Sequence, residues 1–325
     1  MAPSWGAEGE FLTPGHWQFG VSYRALHSFR DFRGSEEVPS PPEIYASTYL
    51  NTVDFGATYA VTDRLSFTFG VPFHVASRET YYEHDGVSLH AMQVRALGDL
   101  NVAGSVWLLD PAEHQGHNIS LGLGVKMPTG DSGATDYSYR TTGKVLRPVD
   151  PAIQPGDGGW GLLFTGQAFT TVANGTVAFV QGTYLMNPRE TNPTQSPFGD
   201  LPDFTGGDIG YTINSVPDQY FFRVGAAHAF WPAQGLLASL AVRIDGVPSH
   251  DLIGGSEGYR LPGYSVALEP GVSLSRGRDV VTFSAPIAVR RRASFSVADL
   301  RTGNPYGGLA ALADFVVNVS YSRRF

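Results

Sequence analysis

The chain has 325 residues, with 39 glycines, 22 prolines, 12% aromatic and only 16% charged side chains, and a net charge of −8. So much glycine and proline excludes helical bundles and coiled coils, and so much aromatic and β-branched material excludes disorder. The anionic balance, with Lys126 and Lys144 as the only lysines, argues against nucleic acid, and the absence of cysteine removes disulfides, thiolate metal sites and cysteine nucleophiles.

No apolar run reaches the length of a transmembrane helix. Residues 1–10 carry neither the basic nor the apolar region of a signal peptide, so export implies that such a peptide has already been removed. From there on, a period of two dominates. Trp17, Phe19, Val21 and Tyr23 alternate with Gln18, Gly20, Ser22 and Arg24. The same pattern returns at residues 53–61, 65–75, 100–108, 119–127, 160–168 and 178–186, then at 220–230, 238–244, 264–274, 281–289 and 315–325. These are about twelve runs of roughly ten residues, the length of a tilted strand crossing a bilayer and longer than a typical soluble strand.

The links between runs sort into two kinds. Short ones (62–64, 110–117, 173–175, 231–235, 275–279) alternate strictly with long polar ones (30–47, 78–95, 128–159, 188–218, 246–263, 290–309). That alternation predicts an all-β fold: a transmembrane antiparallel up-and-down β-barrel of about 12 strands, with short periplasmic turns and long extracellular loops. A barrel is required because hydrocarbon offers no partner to a strand edge, and only closure removes the edges. The expected organisation is a single outer-membrane domain over 1–325, with 1–15 as an N-terminal periplasmic segment and 16–325 as the barrel. Tyr23, Tyr59, Trp160, Tyr184, Tyr220, Tyr264 and Tyr321 fall near strand ends on the apolar face, where aromatic girdles form. The last run ends on Tyr321 and Phe325, a pattern that resembles the C-terminal signal read by the barrel assembly machinery.

Several segments resemble one family more closely. AVTDRLSFTFGVPF (60–73), LGLGVKMPTGD (121–131), QPGDGGWG (154–161), SVPDQY (215–220) and DGVPSHDLIGGSEGYRLPGY (245–264) are similar to Gram-negative outer-membrane proteins described as transporters of the phenol meta-degradation pathway type. The resemblance implies a location in the bacterial outer membrane, with lipids and lipopolysaccharide around the barrel, and passage of small, often aromatic, solutes.

Strand parity gives the expected lumen. It collects Arg24, Lys126, Arg223, Arg243 and Arg290 with Asp54, Asp99, Asp245, Glu269 and Asp314, mostly toward the long-loop ends. The inner half is expected to be smoother, with Gly20, Ser66, Thr68, Gly122, Ser239, Ser273 and Ser320. Five cations against five anions favour an internal salt-bridge lattice over a charge-selective eyelet. The functional expectation is a narrow or gated passive pathway for small, weakly charged solutes, without cofactor or metal. The long loops are candidates to fold inward as a plug. A second reading is an adaptor barrel whose loop 188–218, with Phe198, Phe204 and Tyr211, anchors a protein partner.

Enzyme readings are weaker. His228 lies on the apolar face without a serine partner, and the pairs His84–Asp85 and His250–Asp251 would have to form a rim hydrolase. Asp131, Asp136, Asp200, Asp203 and Asp208 make the loops acidic without the spacing of a Ca²⁺ loop. The glycine-rich segment 156–161 lacks the lysine of a phosphate loop.

Overall fold

A computed structural model describes residues 11–39, 45–199, 207–304 and 307–325. Among them, twelve antiparallel strands close into a barrel, each paired with its neighbours in sequence. They are β1 (Trp17–Ser28), β2 (Ala46–Ala60), β3 (Leu65–Thr80), β4 (His90–Leu97 and Asn101–Trp107), β5 (His117–Lys126) and β6 (Gly161–Ala173). The circuit continues with β7 (Thr176–Met186), β8 (Gln219–Trp231), β9 (Leu236–Val247), β10 (Gly263–Arg276), β11 (Asp279–Ser284 and Ile287–Ala293) and β12 (Phe315–Arg324). β12 returns to β1 through a register running from Gln18–Arg324 to His27–Phe315.

The outward face is apolar, and large side chains such as Phe19, Phe55, Phe69, Leu123, Leu240 and Phe283 stand exposed on it. A continuous exposed surface of this kind is suited to lipid and would drive aggregation in water. Turns at the short end are tight. Gly235 closes the β8–β9 turn at φ 70°, and a Cβ there would come within 1.9 Å of the Ser275 carbonyl oxygen.

Two of the strands are interrupted, and prolines explain where. Proline has no N–H to give to a ladder. Pro72 of β3 faces the break in β4, where the pairing passes from Phe73–Leu97 to Gly70–Asn101 with one extra residue on β4. Pro270 and Pro286 flank the break in β11, where the Ala285 N–H reaches the Pro270 carbonyl at 3.2 Å. Farther up β11 the register shifts again. Ala288 pairs with Ala267, but Arg290 pairs with Val266, so Val289 is bulged out. This bulge corrects one expectation from parity: Arg290 shares the outward face with Val266 and is exposed, and Arg291 turns inward in its place.

β2 and β3 run 15 and 16 residues and stand well above the apolar band, so the long loops begin later than their polar composition suggests. The loops are structured. Thr135–Arg140 pairs with Gly143–Pro148, and Thr191–Gln195 with Ile213–Ser215. Asp31–Arg33 lies between Glu36–Val38 and Leu309–Ala311. Among the described residues two short helices complete them, α1 (Ile209–Thr212) and α2 (Val297–Thr302). The 127–160 loop is a plug. Its Val149 and Ile153 are buried against Ala76, Met92 and Val94, which point inward from β3 and β4, so the loop sits inside the barrel mouth.

Candidate functional site: the lumen

The expected belt divides into separate groups. The largest spans the lumen. Arg223 Nη1 reaches Glu269 Oε1 at 3.2 Å, and Arg243 lies 2.6 Å from Asp245 and 3.8 Å from Glu269. Ser284 Oγ donates to Glu269, and Asn318 Nδ2 donates to Ser284. Arg223 and Arg243 also lie over the rings of Phe179 and Phe221, at 5.3 and 4.9 Å. Arg24 is buried on β1 and bonds Thr52; the charges acting on it come from Asp54 on β2 and from Arg243 and Asp245 across the lumen on β9. Three cations thus face three anions at one constriction.

A second group ties the plug to the wall. Lys126 at the top of β5 lies 3.3 Å from Asp99 and is in short contact with Asp157 of the loop. Asp99 also accepts from the Gly130 and Asp157 amides. Burial holds the Asp157 carboxyl above the usual carboxylate range. Asp157 escaped the parity argument because it lies on no strand.

Asp314 belongs to a third group, at the top of β12. It accepts from the Phe29 and Arg30 amides and pairs with Arg30 at 2.5 Å and Arg291 at 3.6 Å.

Beneath the constriction, the lumen opens into a cavity of about 260 Å³ bounded above by Arg223. One side has the small polar lining expected from parity, with Thr58 bonded to Thr68 and Ser66 to Ser105. The other side corrects that expectation. Trp107, Phe169 and Phe179 also point inward, and Phe179 packs with Ala227 and Ala241. Their inward parity is legible in the sequence, but Trp107 and Phe179 lie near the ends of their runs and Phe169 just beyond its own, each opposite a more apolar outward face. Phe11, from the segment before β1, packs its ring edge-on to Trp107 at 5.0 Å and 6.1 Å from Phe169. Phe11 and Leu12 also line a wider vestibule of about 550 Å³ at the short-turn mouth, so this segment sits between the two spaces.

At the other mouth the loops interlock. Arg78 binds Glu83 at 2.9 Å, Asp150 at 3.5 Å, Thr48 and Tyr82. Burial raises the Glu83 carboxyl and the Tyr82 phenol above their ordinary ranges. Tyr82 stacks on Phe198, which meets Tyr259 edge-on, so loops from three places share one aromatic knot. Tyr211 donates to Asp299 of α2. The described aromatics of the 188–218 loop are therefore engaged inside the cap; Phe204, with Asp200 and Asp203, lies outside the described residues.

The rim pairs do not assemble as dyads. His84 is buried, accepts from the Tyr139 amide, and is held to a pKa of about 4, chiefly by burial and then by His90 and Arg140. Asp85 is turned to the Val87 and Ser88 amides. Asp251 is taken by Arg260 at 2.6 Å while His250 is exposed. His228 bonds Thr176 on the outward face. Asp208 is held below the usual carboxylate range by Arg301. At the C-terminus, the Phe325 amide donates to the Trp17 carbonyl and its ring meets Phe19 edge-on, while Tyr321 OH donates to Asp279.

No protein-family model and no curated protein matches the chain. Among solved structures it is similar to the COG4313 outer membrane channel from Pseudomonas putida F1, with a TM-score of 0.66 at 12% identity over 98% of this chain and 99% of that one. Other matches are the P. putida toluene transporter TodX (TM-score 0.46, 10% identity, 96% and 91% coverage) and the β domain of the Bordetella autotransporter BrkA (0.47, 12%, 96% and 100%). At these identities the likeness concerns the fold: the chain is a closed twelve-stranded transmembrane β-barrel of the outer-membrane type.

Proposed function

We propose that this barrel lies in the bacterial outer membrane and provides a narrow, gated passive pathway for small, weakly charged solutes, aromatic ones included. The observation that carries this reading is the cavity below the constriction, with Trp107, Phe169 and Phe179 on one wall and hydroxyls on the other. Such a lining suits a molecule with a flat apolar body and one polar edge. At about 260 Å³ it has the size of a single small solute rather than a wide aqueous pore. The constriction balances its charges, so it favours neither sign of ion, and the inward loop above it is the element that must yield.

Liposome swelling and planar-bilayer recording test the reading. Neutral monoaromatic solutes should enter proteoliposomes faster than protein-free controls, and the open channel should show weak ion selectivity. Replacing Arg24 and Arg243 together with alanine should widen the constriction and raise conductance. Swelling equal to the controls for every solute, in both the parent and the double variant, would refute the pathway.

A further inference from the structure

The bulge at Val289 puts a charge where a barrel wall ordinarily has none. Arg290 and Arg292 both stand on the outward face of β11, paired with Val266 and Tyr264 of β10. Both are exposed, and among the described residues neither has an ion-pair partner. Two guanidiniums facing a membrane without carboxylates need an anion from outside the chain.

Their height in the bilayer identifies that anion. The lower end of β11 is marked by Asp279, bonded to Tyr321 and Arg323. On the continuous partner strand β10, ten residues separate Arg276, opposite Asp279, from Val266, opposite Arg290. At ~3.3 Å per residue and a tilt of about 40°, this is roughly 25 Å, the full height of the apolar band of such barrels. Arg290 therefore stands at the edge of the hydrocarbon on the long-loop side, and Arg292, two residues farther along the strand, at the level of lipid phosphates. The surroundings agree. Arg292 ends a cross-strand row that runs Tyr184, Tyr220, Gly246, Tyr264, and tyrosine is the residue of the lipid–water interface. On the core side of the arginines, Ile287, Leu268, Val242 and Leu240 are exposed and apolar, as acyl chains require. The β11–β12 ladder stops at Ser284–Asn318, so no backbone rung joins Ile287–Ala293 to β12, whose Phe315 is exposed.

We propose that Arg290 and Arg292 form a binding site for the phosphorylated headgroup of an outer-leaflet lipid, with its acyl chains along the apolar face of β10 and β11. A guanidinium fork matches a phosphate with two parallel hydrogen bonds, which an ammonium cannot reproduce. The site lies on the outside of the wall and is independent of any solute pathway.

Native mass spectrometry of the detergent-purified barrel tests it, with lipid A, a phosphorylated and multiply acylated glucosamine disaccharide, as the probe. The parent protein should retain lipid A about tenfold or more over its dephosphorylated form and over phosphatidylethanolamine. Arg290→Gln with Arg292→Gln should lose that preference, the corresponding Lys pair should keep only part of it, and Arg323→Gln at the opposite interface should leave it unchanged. Equal retention by parent and Gln pair would overturn the proposal. So would displacement of the lipid by inorganic phosphate at matching concentration, which would mark a plain anion site. Should the Gln pair fail to fold, the comparison of phosphorylated with dephosphorylated lipid on the parent still decides.

Discussion

Lys126 shows how much one side chain carries. It neutralises Asp99 on the wall and Asp157 on the plug, and all of them are largely shielded from water. Lys126→Met would leave two carboxylates facing each other without a cation, a loss of about 3–5 kcal/mol for a broken buried pair. Urea unfolding of the barrel in detergent should therefore show a clearly lowered midpoint, with Lys126→Arg close to the parent. An unchanged midpoint for the Met variant would mean that water reaches the site. Parity alone placed Lys126 in the lumen, along with Arg24, Arg223 and Glu269, because period-two alternation is rigid wherever a strand runs unbroken. It misplaced Arg290 because one bulged residue exchanges the faces of everything beyond it. Pro270 and Pro286 were the warning that this part of the wall is irregular.

Loops are the elements in which pattern reading runs out. Their ends and polarity were visible, but the burial of Val149 and Ile153 in the barrel mouth depends on contacts with Ala76, Met92 and Val94, distant in sequence. His84 offers a handle on the cap that these loops form. Its folded pKa of about 4 lies below the ordinary value of 6.5, so the folded cap keeps the ring neutral. The unfolded segment takes up a proton as the pH drops through about 6.5, and the folded one only near 4. Cap stability is therefore highest above that window and declines across it. Hydrogen exchange at the Tyr139 amide, which donates to His84 Nδ1 at 3.0 Å, should accelerate beyond its intrinsic pH dependence between those values. His84→Gln should flatten that response. A response equally steep in the Gln variant would assign it to other groups.

For the molecule as a whole, closure depends on ladders of unequal quality. β2 and β3 pair along fifteen positions, whereas β11 and β12 pair along six, from Asp279–Arg323 to Ser284–Asn318. Above Ser284, Arg291 takes over from the backbone. Its Nε donates to the Ala313 carbonyl at 2.9 Å, and its guanidinium reaches Asp314. Arg291→Ala should speed amide exchange in residues 287–293 and 315–317 while leaving β2 and β3 as protected as before. Uniform protection across both regions would show that the short ladder suffices.

The consequence is mechanical. A cylinder whose staves are left unlaced along part of an upper edge, as between β11 and β12, gives more easily there than where the lacing is complete. Thermal breathing, stretching by a thicker bilayer, or pressure from within would be taken up at that edge first. A single guanidinium then acts as the latch that sets how far the staves can part.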